Sequence, residues 1–142
     1  MLAKQKADAV ELLAETTTAA GAVTDTGDEV ALPGMVNGIV FVLDVTAAAT
    51  DNADTLDVTV QTLLDGTNWV DVVAFTQCAG DGGAKRHVAK VLAGAAESMF
   101  ADTTLAAGNV RNLLGDKWRV SYAQADADSD GTFTFSVVAM PM

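Results

Sequence analysis

Apolar and polar residues alternate with period two over several short stretches, the signature of strands with one face turned to a core. In the stretch from Leu56 to Leu64, Leu56, Val58, Val60 and Leu64 share one face, and Asp57, Thr59 and Gln61 share the other. Trp118, Val120 and Tyr122 alternate with Lys117, Arg119 and Ser121, and Phe133, Phe135 and Val137 alternate with Thr132, Thr134 and Ser136. Ile39, Phe41, Leu43 and Val45 alternate with Val40, Val42, Asp44 and Thr46, which predicts a central strand with both faces largely covered. Weaker strands are expected over Val10–Thr16 and Glu29–Leu32, on either side of Asp25–Asp28, and a further hairpin from His87–Leu92 and Glu97–Ala101.

The breaks between these stretches carry turn chemistry. Asp65-Gly66-Thr67-Asn68 joins the Leu56 strand to one over Trp69–Phe75, with Gly66 free to take positive φ. Pro33-Gly34 interrupts the chain before Ile39, Gly80-Asp81-Gly82-Gly83 opens a loop, and Ala125–Gly131 joins the last two strands. About eight or nine short strands at hairpin spacing predict an all-β, antiparallel β-sandwich, with a jelly roll as one form of it. Ala3–Glu15 is rich in helix formers and reads as an arm followed by a strand, with residues 1–8 as the arm. No repeat or linker divides the 142 residues, so one domain spanning 1–142 is expected.

Charge narrows the classes of partner. Nineteen acidic residues against eight Lys plus Arg give a net charge of -11, a surface that repels phosphate backbones and anionic lipid heads. Neither nucleic acid nor membrane is an expected partner. No signal-peptide pattern follows Met1–Lys6, and the apolar run Ile39–Leu43 is too short to span a bilayer, so a soluble protein made in the cytosol and not exported by the usual route is expected. A single cysteine, Cys78, excludes an internal disulfide.

Candidate chemistry is sparse. Asp126-Ala127-Asp128-Ser129-Asp130-Gly131 matches the first half of a calcium loop, in which alternate carboxylates converge on a hard cation and glycine permits the sharp turn. The position of the distant bidentate Glu is Val137, so Asp126, Asp128 and Asp130 read either as a calcium site or as a solvated acidic hairpin. Asp51, Asn52 and Asp54 form a second acidic loop with the same two readings. His87 reads as an exposed loop histidine, Cys78 as a small buried hydrophobe, and Lys85, Arg86 and Lys90 as a solvated face or a dock for an acidic partner. The Gly80–Gly83 run lacks the Lys-Ser/Thr ending of a phosphate loop. Trp69 and Trp118 sit in alternating strands, where core packing competes with a sugar-binding platform. No catalytic residue and no cofactor is expected from this inventory, and the chain reads as a non-enzyme.

The run from Leu56 to Gln77, with Gln61-Thr62-Leu63-Leu64-Asp65-Gly66-Thr67-Asn68-Trp69 at its centre, resembles small β-sandwich virion proteins of tailed bacteriophages. Val40–Thr46 and the ending Trp118–Tyr122 with Phe133–Val137 are compatible with the same group; the first forty residues and the Asp126–Asp130 loop match nothing in it. The resemblance implies a decoration or cement protein on the outside of a capsid, partnered by the major capsid protein and homo-oligomeric, with a trimer as the expected form. A tail or head–tail connector component, or a glycan-binding module using Trp69 or Trp118, are the alternatives.

Overall fold

Eleven strands carry the alternation in the computed structural model, which describes residues 9–32, 36–94 and 99–142. They are β1 (Val10–Thr17), β2 (Val23–Thr26), β3 (Val30–Ala31), β4 (Gly38–Ala47), β5 (Thr55–Leu63) and β6 (Trp69–Ala74), followed by β7 (Cys78–Ala79), β8 (Lys85–Leu92), β9 (Asn109–Val110), β10 (Lys117–Ala125) and β11 (Thr134–Pro141). One antiparallel sheet has the order β1-β11-β4-β8; the other has β2-β10-β5-β6-β9, with β3 also on β10 and β7 also on β5. The two pack face to face as a sandwich around a shared core.

The core follows directly from strand periodicity. Ile39, Phe41, Leu43 and Val45 of β4 and Phe135, Val137 and Ala139 of β11 turn inward from the first sheet. Leu56, Val58 and Val60 of β5 and Trp118 and Val120 of β10 meet them from the second. Phe41 and Trp118 lie 5.2 Å apart across the sandwich, and Tyr122 meets Phe135 edge-on at 5.1 Å. Fully burying one such side chain contributes about 1.5–3 kcal/mol, so these inner faces dominate the stability. Trp118 is fully buried and its indole N–H donates to the Gly115 carbonyl at 3.1 Å, which meets the one polar demand of that side chain.

The β5–β6 hairpin shows how the turn is specified. Asp65 Oδ1 accepts the backbone N–H groups of Thr67 and Asn68 at 3.1 and 2.9 Å, and Oδ2 accepts the Asn68 side-chain amide at 2.7 Å. The donors from Asn68 and Thr67 hold the Asp65 carboxyl below its ordinary value. Gly66 has φ +81°, a conformation closed to most side chains. Leu64, expected inside, is exposed because it has already left the strand. The last inward position of β5 belongs to Thr62, whose hydroxyl donates to the Lys117 carbonyl at 2.8 Å.

Other expectations are corrected by pairing. His87–Leu92 makes no hairpin with the segment after it: β8 pairs with β4 from Gly38↔Leu92 to Val45↔Lys85, because that long edge offers eight paired positions. Met99–Ala101 carries no strand, and Glu97 and Ser98 lie outside the described residues, as do the 1–8 arm and Pro33-Gly34. Asp25 and Thr26 belong to β2 and not to a turn. The three two-residue strands raise the total above the expected eight or nine. Finally, β4 is covered on one face only: Val40 and Val42 point away from the core and remain half-exposed.

Candidate functional site

The two acidic loops, separate in the sequence, meet in space. β5 and β10 pair antiparallel up to Thr55↔Ala125, so the next residues outward, Asp54 and Asp126, face each other where the ladder ends. The Asp54 backbone is pinned on both sides: its N–H donates to the Asp51 carbonyl at 3.2 Å, and its own carbonyl accepts from Gly80 at 2.8 Å. Asp51 Oδ1 accepts from Ala53 N–H at 2.9 Å and closes that turn. One carboxylate oxygen from each of Asp54, Asp126, Asp128 and Asp130 lies within 4.8 Å of the others.

The four carboxylates are held differently. Asp126 is buried and accepts three backbone N–H groups, from Ser129 at 3.0 Å on Oδ1 and from Gly21 at 2.9 Å and Gly131 at 2.7 Å on Oδ2. Burial opposes its charge, yet the Gly131 and Gly21 donors win and hold it at about 2. Asp54 is 1% exposed, and neither of its oxygens has a hydrogen-bond donor among the described residues. Burial, followed by the charge of Asp126, pushes its carboxyl above the ordinary value. Asp128 is exposed; contact with Asp126, partial desolvation of its carboxyl group and the charge of Asp130 lift it to about 6. Asp130 is exposed.

Gly131 is demanded by this arrangement, since a Cβ there would stand 2.2 Å from Asp54 Oδ2. Behind the carboxylates lies a buried polar network that the alternation did not reveal. Gln124 Nε2 reaches the carbonyls of Ala19, Gly21 and Gly131 at 3.0, 2.7 and 2.9 Å, and its Oε1 accepts from the Thr18 hydroxyl. Thr18 Oγ1 in turn accepts Phe133 N–H at 2.9 Å. The network ties the crossover between β1 and β2 to the 126–131 loop. Gln124 was legible only as a polar residue at an inward position of β10, in register with Trp118 and Val120.

The remaining candidates fall elsewhere. His87 sits in β8 and not in a loop; it is half-buried, and its Nε2 has no partner among the described residues. Cys78 is buried, and burial pushes its thiol above the ordinary value, away from thiolate chemistry. Trp118 has no accessible face, whereas Trp69 is half-buried with the Arg119 guanidinium 4.4 Å above its ring. A shallow depression beside Trp69 is lined by Gln61, Asp71, Asp102, Thr103 and Thr104. Arg111, unremarked in the sequence, is buried and shapes this side by donating to the carbonyls of Asp71 and Thr103 at 3.2 and 2.9 Å.

Lys85, Arg86 and Lys90 all lie on β8, an edge strand of the four-stranded sheet. Arg86 pairs with Asp44 at 3.5 Å, an exposed contact worth little. On the outward face of this sheet the register sets Val88 beside Val42 and Val42 beside Val138, and sets Lys90 beside Val40 and Val40 beside Met140. Val88 is 65% exposed, and Met140 and Leu92 are exposed as well. An apolar stripe therefore crosses three strands with Arg86 and Lys90 among its edge residues. Comparison with family models, with curated proteins and with solved structures finds no match to this chain.

Proposed function

We propose that the chain is a structural protein of a tailed-phage virion, a decoration or cement protein that docks on the outside of the major capsid shell and stabilises it. The observation that carries this reading is the outward stripe Val88–Val42–Val138 with Met140, bordered by Arg86 and Lys90. A contiguous exposed apolar patch marks a surface on which another protein can dock. Lys90, with Arg86 shared between Asp44 and solvent, gives this edge of a chain of net charge -11 a cationic side that suits an acidic patch on that partner. The resemblance of Leu56–Gln77 to phage virion sandwiches supplies the partner's identity. The protein is then made in the host cytoplasm and works on the virion surface, as a homo-oligomer for which a trimer is the expected form.

Mixing the purified protein with undecorated capsid shells and measuring co-sedimentation tests this. Saturable binding that raises the shell's resistance to heat supports it; free protein at every salt concentration, with intact shells, defeats it. A tail or connector component would instead form rings visible in negative stain. The depression beside Trp69 favours a second reading, a glycan-binding module, in which a matching glycan changes Trp69 fluorescence and Trp69→Ala abolishes the response.

A further inference from the structure

Asp54 is the anomaly of this molecule. The residue is 1% exposed and its carboxylate receives no hydrogen bond among the described residues, whereas its neighbour Asp126 receives three. A buried carboxylate without a donor is strongly unfavourable, and such groups are otherwise paired or bound to a metal. No basic side chain relieves it: the ion pairs among the described residues are Arg86–Asp44 and Lys117–Glu29, neither of which involves this site. Two carboxylates this close need a proton, a hydrogen-donating water or a cation between them.

The donor set favours the cation and indicates its kind. Asp126, Asp128 and Asp130 present carboxylates at alternate positions of one loop, and the sharp turn ends at Gly131. In a helix–loop–helix calcium site a distant Glu closes the coordination; here that position is Val137, fully buried in the core. Asp54 enters from the other loop and takes that place, brought there by the strand register. Asp126 Oδ1, with one N–H on it, keeps a lone pair for an ion. All donors are hard oxygens, and neither His87 nor Cys78 belongs to the cluster, which disfavours zinc and copper. Four carboxylates arriving from two separate loops suit Ca²⁺, which accepts six to eight oxygen ligands in irregular geometry, better than the strict octahedron of Mg²⁺.

We propose that Asp54, Asp126, Asp128 and Asp130 bind one Ca²⁺ ion, which clamps the 51–54 turn to the 126–131 loop. The inference stands independently of the docking partner. Chelator-treated protein is titrated with CaCl₂ and, separately, MgCl₂, and followed by calorimetry and thermal melting. Calcium is expected to bind one per chain and to raise Tm by roughly 5–10 °C at a hundredfold excess over Kd. Magnesium at equal concentration should give less than about a third of that shift. Asp54→Asn should weaken calcium binding about tenfold or more while leaving the metal-free Tm equal or higher, since it removes a buried like charge. Asp130→Asn, at an exposed position with no hydrogen bond of its own, should fold as the parent does and weaken calcium binding several-fold. Absence of a saturable calcium effect up to roughly 10 mM, beyond the range of weak extracellular calcium modules, would overturn the proposal. So would calcium affinities in both variants equal to the parent's.

Discussion

Asp54 and Asp126 face one another one step beyond the last pair of the β5–β10 ladder, Thr55↔Ala125. That relationship fixes the chemistry of this end of the sandwich, because an antiparallel register places two residues far apart in sequence at a defined separation. Asp126 is satisfied by backbone donors and Asp54 is not, so the pair is electrostatically lopsided.

The pH dependence of the metal-free protein follows from this imbalance. Asp128 titrates at about 6, above an unfolded value of roughly 3.9, so its contribution is fully present below the unfolded value and lost as pH rises through 6. Asp126 is the reverse: held at about 2, it contributes above the unfolded value, and that contribution disappears as pH falls toward 2. In chelator, Tm should therefore decline between roughly pH 4 and 7, and Asp128→Asn should flatten that decline. Melting curves of the two proteins across this window check it; parallel curves would refute the assignment.

The contact between Gly131 and Asp54 gives a coupled pair. Gly131→Ala drives its Cβ to 2.2 Å from Asp54 Oδ2 and 3.3 Å from the Ala49 Cβ, which cannot stand without displacement of the loop. The single variant should melt several degrees lower. Adding Asp54→Ala removes the main obstacle, so the double variant should be less destabilised than the sum of the two singles. Additive effects would show that the loop sits elsewhere in solution.

Gln124 is the buried link between the 126–131 loop and the β1–β2 crossover. Gln124→Leu keeps the volume but strands the Thr18 hydroxyl and the carbonyls of Ala19, Gly21 and Gly131. The expected loss is at least about 2 kcal/mol by denaturant unfolding. Hydrogen exchange should also rise first at Gly21 and Gly131.

These residues mark where the sequence was readable and where it was not. The inner faces of β4, β5, β10 and β11 were legible because burial on one side of a pleated strand imposes period two, and Phe41, Val58, Trp118 and Phe135 all land in the core. Leu64 misled because periodicity continues past the point where the strand ends, and only the Asp65 hydrogen bonds fix that point. β7 and β9 are too short to carry a period, and the pairing of β8 with β4 is a choice between edges that local sequence does not encode. Both acidic loops stood out, but their union did not. It depends on the register between β5 and β10, which is a property of the packed sheet.

Trp118 provides the measure of the core. It is fully buried, packs at a tilt against Phe41 with ring centres 5.2 Å apart and donates to Gly115, so Trp118→Ala removes packing and leaves a carbonyl unpaired together. A loss of about 3–5 kcal/mol is expected in denaturant melts. A loss below about 1 kcal/mol would mean that the two sheets do not close over this ring.

Val88 tests the docking face without touching that core. At 65% exposure on the outer side of edge strand β8, Val88→Glu removes an apolar contact and places a negative charge between Arg86 and Lys90. Surface positions of this kind alter stability by about 1 kcal/mol or less, so the melting curve should barely move. Binding to capsid shells should fall tenfold or more, because the new carboxylate meets the acidic patch that Arg86 and Lys90 are proposed to face. Parent binding should also weaken as salt rises from roughly 50 to 500 mM, whereas an uncharged contact would hold or strengthen. Unchanged co-sedimentation of Val88→Glu, with unchanged salt dependence, would move the docking surface off this sheet.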